Sequence, residues 1–184
     1  MSSRPDATIK DLLNYPDHGR AELVCGKIVM IPPMTGRASR AVLHILISLN
    51  EYEKNTRLGY ALPSKVGYLV DLPHRKSFCP DCSFDQGPLT PGLPVGAPLF
   101  AVEVWDIGDC SCFMEDEFAA KRRDYFATGT EVLWDVDIRR EDVVRVYRKS
   151  SPDEPTMYRR GEVAEAEPAL PGWRLPVDKL FGIK

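Results

Sequence analysis

Apolar and polar positions along this chain change period several times, and each change marks an element. Between Arg37 and Lys54, the residues Ala38, Ala41, Val42, Ile45, Leu49 and Tyr52 recur at i, i+3, i+4 and i+7, which predicts a helix with one buried face. Arg37, Arg40, His44, Ser48 and Glu51 form a polar stripe on the same helix, able to face a cleft if the helix packs near Asp81. Ahead of it, IKDLLNY predicts a short helix ended by Pro16, and AELVCGKIVMI (21–31) alternates about Gly26 as a hairpin stopped by Pro32-Pro33. KVGYLVDL (65–72) predicts a strand closed by Pro73, and FCPDCSF a short strand with Asp81 in its middle or at its end. The Gly- and Pro-rich stretch DQGPLTPGLPVGAP (85–98) is a loop.

The most informative stretch runs from Leu99 to Asp137: LFAVEVWD, a polar loop, DEFAAKRRDYFATG, then TEVLWDVD. It predicts a buried strand, an amphipathic helix and a second buried strand. Glu103 interrupts the first apolar run, where a carboxylate is tolerated only if paired, metal-bound or protonated. Lys121 has Phe118 at i−3 and Tyr125 at i+4, so its stem lies with the apolar face of the helix. Trp134 and Tyr125 read as core. Beyond this unit, DVVRVYR (142–148) and TMYRRGEV (156–163) predict an antiparallel extension joined by the turn KSSPDEP. The tail, with Leu170, Trp173, Leu175 and Leu180, packs over the sheet as a cap. The expectation is an α/β (α+β) fold with a mixed central sheet flanked by helices, in one domain spanning 1–184.

Composition narrows the partners. A net charge of −3 does not advertise a nucleic-acid binder, so a polyanion would have to be met by local basic clusters. Arg37 with Arg40, His74-Arg75-Lys76 and Arg139-Arg140 read as solvated surface; Lys121-Arg122-Arg123 stands apart because Lys121 turns inward. No apolar run approaches the ~20 residues that span a bilayer, and the first residues lack the apolar core of a signal peptide. A cytoplasmic protein without a membrane role is therefore expected. Five cysteines, an odd number, argue against a disulfide scaffold. Cys79, Cys82, Cys110 and Cys112 raise a four-thiolate Zn²⁺ site, but the tight second pair and the missing knuckle glycines favour ordinary thiols.

Asp81, Glu103 and Lys121 make a coherent chemical set. Two carboxylates on neighbouring strands, with the Val104 carbonyl, can ligate Mg²⁺ (or Mn²⁺), a hard cation suited to phosphodiester hydrolysis. A lysine beside them orients the attacking water and stabilises charge at phosphorus. The alternative for Glu103 and Lys121 is a buried structural ion pair, and for Asp81 a strand-end acid. Glu22, near the start of the hairpin, reads from its pattern as a surface strand position.

These residues carry a resemblance. Pro80-Asp81 followed by Glu103-Val104-Trp105 resembles the PD-(D/E)XK nuclease superfamily, and within it the Uma-two type family of bacterial restriction endonucleases. The matching segments are AELVCGKIVMIPP, CPDCSF, FAVEVWD, KRRDYFATGTEVLWDVD and ALPGWRLPVDKLF, which together span nearly the whole chain. The resemblance implies a restriction-endonuclease-like core and a Mg²⁺-dependent endonuclease acting on DNA. Asp81 and Glu103 take the motif acids, Glu22 matches a further acid of the opening strand, and Trp105 stands in the lysine slot. The lysine role then moves to the following helix, at Lys121. Arg37 and Ala38 stand where relatives carry a histidine, and cysteines flank Asp81 and fill the loop after Glu103. Trp105 and the acidic balance leave a non-catalytic nucleic-acid- or protein-binding module as the alternative. A homodimer is expected if both DNA strands are cut.

Overall fold

A computed structural model of the protein describes residues 5–16, 19–106 and 112–182, the side chains of 112–114 excepted. A short helix α1 (Ile9–Leu13) is closed by a capping box between Thr8 and Asp11. The hairpin of β1 (Ala21–Val24) and β2 (Lys27–Met30) follows, its two-residue turn formed by Cys25 and Gly26, both at positive φ. Such a turn matches the right-handed twist of the strands it joins. Helix α2 (Gly36–Thr56) starts at Thr35, whose side chain accepts from the Ala38 amide. Its buried residues are Ala38, Ala41, Val42, Ile45, Leu49 and Tyr52, the full predicted face.

Strands β3 (Tyr60–Pro63), β4 (Tyr68–Leu69), β5 (Ser77–Phe78) and β6 (Cys82–Asp85) come next. The central unit is β7 (Phe100–Trp105), α3 (Cys112–Thr128) and β8 (Val132–Asp137), with β7 and β8 parallel. Then come β9 (Val143–Arg148), β10 (Ser151–Tyr158), β11 (Val163–Glu165), β12 (Arg174–Pro176) and α4 (Asp178–Phe181). The main sheet is six-stranded in the order β10-β9-β8-β7-β6-β3, antiparallel except for the β7–β8 pair.

Alternation along the central strands sends two kinds of side chain to the two faces. Val102, Val104, Trp134 and Val136 join the α2 face and the tail residues Leu170, Trp173, Leu175 and Leu180 in one apolar cluster. Ala101 and Leu133 join Tyr125, Phe126, Tyr68 and Phe78 in a second cluster on the α3 side. Glu103 and Asp135, paired in register, lie on that second face between the apolar positions.

Several expectations need correction. The strand predicted over 65–72 is confined to Tyr68–Leu69, and FCPDCSF splits into β5 and β6 with Asp81 at the join. β3, whose YALP carries neither alternation nor β-branched residues, was not anticipated. Strand β10 begins at Ser151, inside the stretch expected to be a turn. Its Pro152 and Pro155 are tolerated because β10 is an edge strand of the main sheet. The bonds described for the polar stripe of α2 do not reach Asp81: Arg37 binds the Ile138 carbonyl and Asp142, and Ser48 receives the Trp173 indole.

Candidate active site

Four elements deliver charged side chains to one place at the rim of the α3 face. Glu22 comes from β1, Asp81 from the residue preceding β6, Glu103 from the middle of β7, and Lys121 from α3. All three acids are buried. The Lys121 ammonium bridges two of them, with Nζ 2.8 Å from Glu22 Oε1 and 2.9 Å from Glu103 Oε1. The inward lysine read from Phe118 and Tyr125 is therefore formed, and the Tyr125 hydroxyl donates to Glu103 Oε1 at 2.7 Å.

Asp81 is fixed from both sides. Its Oδ2 accepts the Val104 amide at 2.6 Å, and its own amide donates to the Val102 carbonyl at 3.0 Å. These bonds seat Asp81 beside Glu103 on the neighbouring strand. Its Oδ1 is paired with Arg20 Nη1 at 2.6 Å, while Arg20 Nη2 donates to the Cys79 carbonyl at 2.8 Å. The contact seen from Val104 is thus through its amide.

Glu22 occupies an interior position, which corrects the surface position inferred from its strand pattern. The hairpin lays β1 against the segment 74–78: the Lys76 amide donates to the Leu23 carbonyl, and the Cys25 amide to that of His74. This pairing brings Arg75 beside Glu22, with Nη1 2.5 Å from Oε2, and the Cys79 amide donates to Oε1 at 3.0 Å. Arg75 also pairs through Nε with Asp124 at 2.8 Å, and His74 Nε2 meets the other oxygen of Asp124 at 2.8 Å. Arg75, read as solvated surface, is buried. Arg20 and Arg75 were missed because arginines in irregular segments look solvent-exposed; only the pairing partners reveal them.

The electrostatics follow from burial and partners. Burial raises the Glu103 carboxyl most, Lys121 opposes it, and Asp81 and Glu22 push the same way as burial, leaving it at about 7. Burial also raises Asp81, against Arg20 and the Val104 amide. For Glu22, burial is outweighed by Lys121 and Arg75, which hold it below the usual carboxylate range. Burial works to lower Lys121, but Glu103 and Glu22 more than offset it, so the ammonium stays charged.

Trp105, in the expected lysine slot, stacks on Phe118 with ring centroids 4.1 Å apart. The four-thiolate site finds no support among the described residues. Cys79 and Cys82 are buried free thiols, Cys82 within the apolar cluster under α2. Cys110 and the side chain of Cys112 lie outside the described residues. Among the described residues, no group of three or more His, Cys, Asp or Glu is arranged to hold a metal ion. Mg²⁺ does not require one. It commonly takes one or two carboxylates and keeps several waters, so the hard oxygen donors of Asp81 and Glu103 suit it chemically.

Comparison with known proteins agrees with this architecture. A family model described as "Putative restriction endonuclease", Uma2, matches residues 9–178, and the chain belongs to that family. A crystal structure from Anabaena variabilis ATCC 29413, described as "a putative nuclease belonging to DUF820", superposes with a TM-score of 0.75. It is 20% identical, and the match covers 95% of this chain and 97% of that one, so the two share a fold. No curated protein matches the chain. Among the described residues, no helix is long and apolar enough to cross a membrane.

Proposed function

We propose that this protein is a PD-(D/E)XK-type endonuclease that hydrolyses phosphodiester bonds of DNA with Mg²⁺ or Mn²⁺. The observation that carries the reading is the Lys121 ammonium shared between Glu22 and Glu103, with Asp81 seated next to Glu103 by the Val104 amide. Asp81, Glu103 and the Val104 carbonyl would hold the cation, which supplies a polarised phosphoryl oxygen and a bound water of lowered pKa. The chain's own groups do the positioning. Beyond its two carboxylate contacts, the Lys121 ammonium carries a third N–H with which to orient a water or a phosphoryl oxygen. Tyr125 fixes the Glu103 oxygen that Lys121 also contacts, and Arg75 with the Cys79 amide fixes Glu22 as a further acid of the site. Trp105 leaves the lysine slot without an amine, and the helix-borne Lys121 supplies it instead.

The test is cleavage of plasmid or duplex oligonucleotide in Mg²⁺ or Mn²⁺, compared with Asp81→Ala and Lys121→Ala. Loss in both variants is expected, and equal cleavage by both would assign the activity to a contaminant or another site. The Arg20–Asp81 pair favours a second reading, a non-catalytic nucleic-acid- or protein-binding module whose acids are permanently neutralised. Salt-dependent DNA binding with no cleavage in any metal would select it. Cutting of both strands implies a second copy of the chain, read out as a dimer in sedimentation.

A further inference from the structure

Among the described residues, Arg20 is the cation that forms an ion pair with Asp81. Its guanidinium is largely buried, with side-chain exposure of 15%, and its Nε is buried without a hydrogen-bond partner. Nη1 takes Asp81 Oδ1, and Nη2 is tethered to the Cys79 carbonyl. Since Oδ2 is committed to the Val104 amide, Arg20 covers the remaining oxygen of Asp81. A guanidinium is a planar fork that suits a phosphate as well as it suits a carboxylate.

We propose that Arg20 exchanges partners: it is the counter-ion of Asp81 in the metal-free protein and a phosphate-binding residue once a divalent cation claims that carboxylate. The inference rests on the reading of Asp81 as a metal ligand. Arg20 gives up Oδ1, stays tethered through Nη2 to the Cys79 carbonyl, and turns the freed Nη1 to a non-bridging oxygen of the nucleic-acid backbone. The same exchange lowers the affinity of the empty site for metal, because the cation competes with a charge-assisted bond. Substrate and metal then favour each other, since phosphate stabilises the released guanidinium.

The experiment compares wild type, Arg20→Gln and Arg20→Lys in Mn²⁺ titrations, and in duplex DNA binding with Ca²⁺ replacing Mg²⁺. Arg20→Gln is expected to bind Mn²⁺ roughly tenfold tighter and the duplex roughly tenfold weaker, the scale of one charge-assisted bond. Arg20→Lys, with charge but no fork, should recover Mn²⁺ competition but not duplex affinity. In wild type alone, the Arg20 Nε–H resonance of ¹⁵N-arginine-labelled protein should shift on adding Mg²⁺, which keeps the test valid if a variant fails to fold. Unchanged or weaker Mn²⁺ binding by Arg20→Gln, or an unmoved Nε–H signal in a wild type that binds Mg²⁺, would overturn the exchange. Tighter Mn²⁺ binding with unchanged duplex affinity would overturn the phosphate role. A wild type that binds no Mn²⁺ would remove the metal-ligand reading itself, and this inference with it.

Discussion

Two buried ion pairs lie side by side on the α3 face of the sheet, built by consecutive helix residues. Lys121 meets Glu103 on β7, and Arg122 meets Asp135 at 2.8 Å on β8, the register partner of Glu103. Both acids are raised by burial, Glu103 to about 7 and Asp135 to about 6, each opposed by its own cation. Their surroundings separate them. Lys121 shares its charge with Glu22 and sits next to Asp81, so its pair belongs to an acid-rich cluster. Arg122 lies over the Tyr147 ring at 4.1 Å and serves Asp135 alone among its described ion pairs. The same local device, a long cation dropped from a helix onto a strand acid, joins an acid-rich cluster in one register and a separate ion pair in the next. What differs is how many other acids converge.

The sharpest way to break that comparison is to remove each cation. On the proposed function, Lys121→Met is expected to cut DNA cleavage by roughly 10³-fold or more, the scale of losing a group that stabilises transition-state charge. Arg122→Met, assayed below its melting temperature, should stay within a few-fold of wild type. Initial rates on a duplex oligonucleotide at saturating Mg²⁺ decide between them.

Stability should invert the ranking. Arg122→Met leaves Asp135 buried without its bonded cation, an effect of about 3–5 kcal/mol by urea unfolding. Replacing both members with apolar residues, Arg122→Met with Asp135→Leu, should recover most of that loss, because an apolar pair of similar volume needs no desolvated charge. If the double variant is as unstable as the single one, Asp135 has a further partner that matters more than Arg122.

Glu22 sharpens the difference further, since among the described residues Arg122 pairs with no second acid. Glu22→Gln keeps the shape and the Cys79 amide contact but weakens the hold on Lys121 and Arg75. On the proposed function, a drop of about 10–100-fold in cleavage is expected, because Glu22 positions Lys121. An unchanged rate would make Glu22 purely structural.

How much of this was readable from the chain depends on what each residue's neighbours in sequence could say. The buried face of α2 was legible in full because helical period alone fixes it. Glu103 and Lys121 were legible because a charge inside an apolar pattern demands a partner. Asp135 carries the same signal within VLWDVD, but no resemblance drew attention to it. Glu22 was legible only through resemblance; on a four-residue strand, alternation cannot tell an outward acid from one covered by a distant segment. Arg20 and Arg75 were opaque for a related reason. Arg75 is buried by the hairpin docking on 74–78, and Arg20 by its contacts with Cys79 and Asp81, long-range pairings that no local period encodes.

The smallest expected effect is a pH dependence belonging to Asp135. Its carboxyl is raised to about 6, chiefly by burial, against an ordinary value of 3.8 in the unfolded chain. The folded state therefore holds the proton more tightly than the unfolded one. Its favourable contribution is full below about 3.8 and is lost as pH climbs through 6. Measured against Asp135→Asn, which does not titrate, wild type should lose on the order of 1 kcal/mol of relative stability between pH 5.5 and 7.5. Glu103 titrates in an overlapping range, but it is present in both proteins, so the difference isolates Asp135. A relative stability that rises with pH across this range would mean that Arg122 outweighs burial. The two pairs would then differ in sign as well as in surroundings.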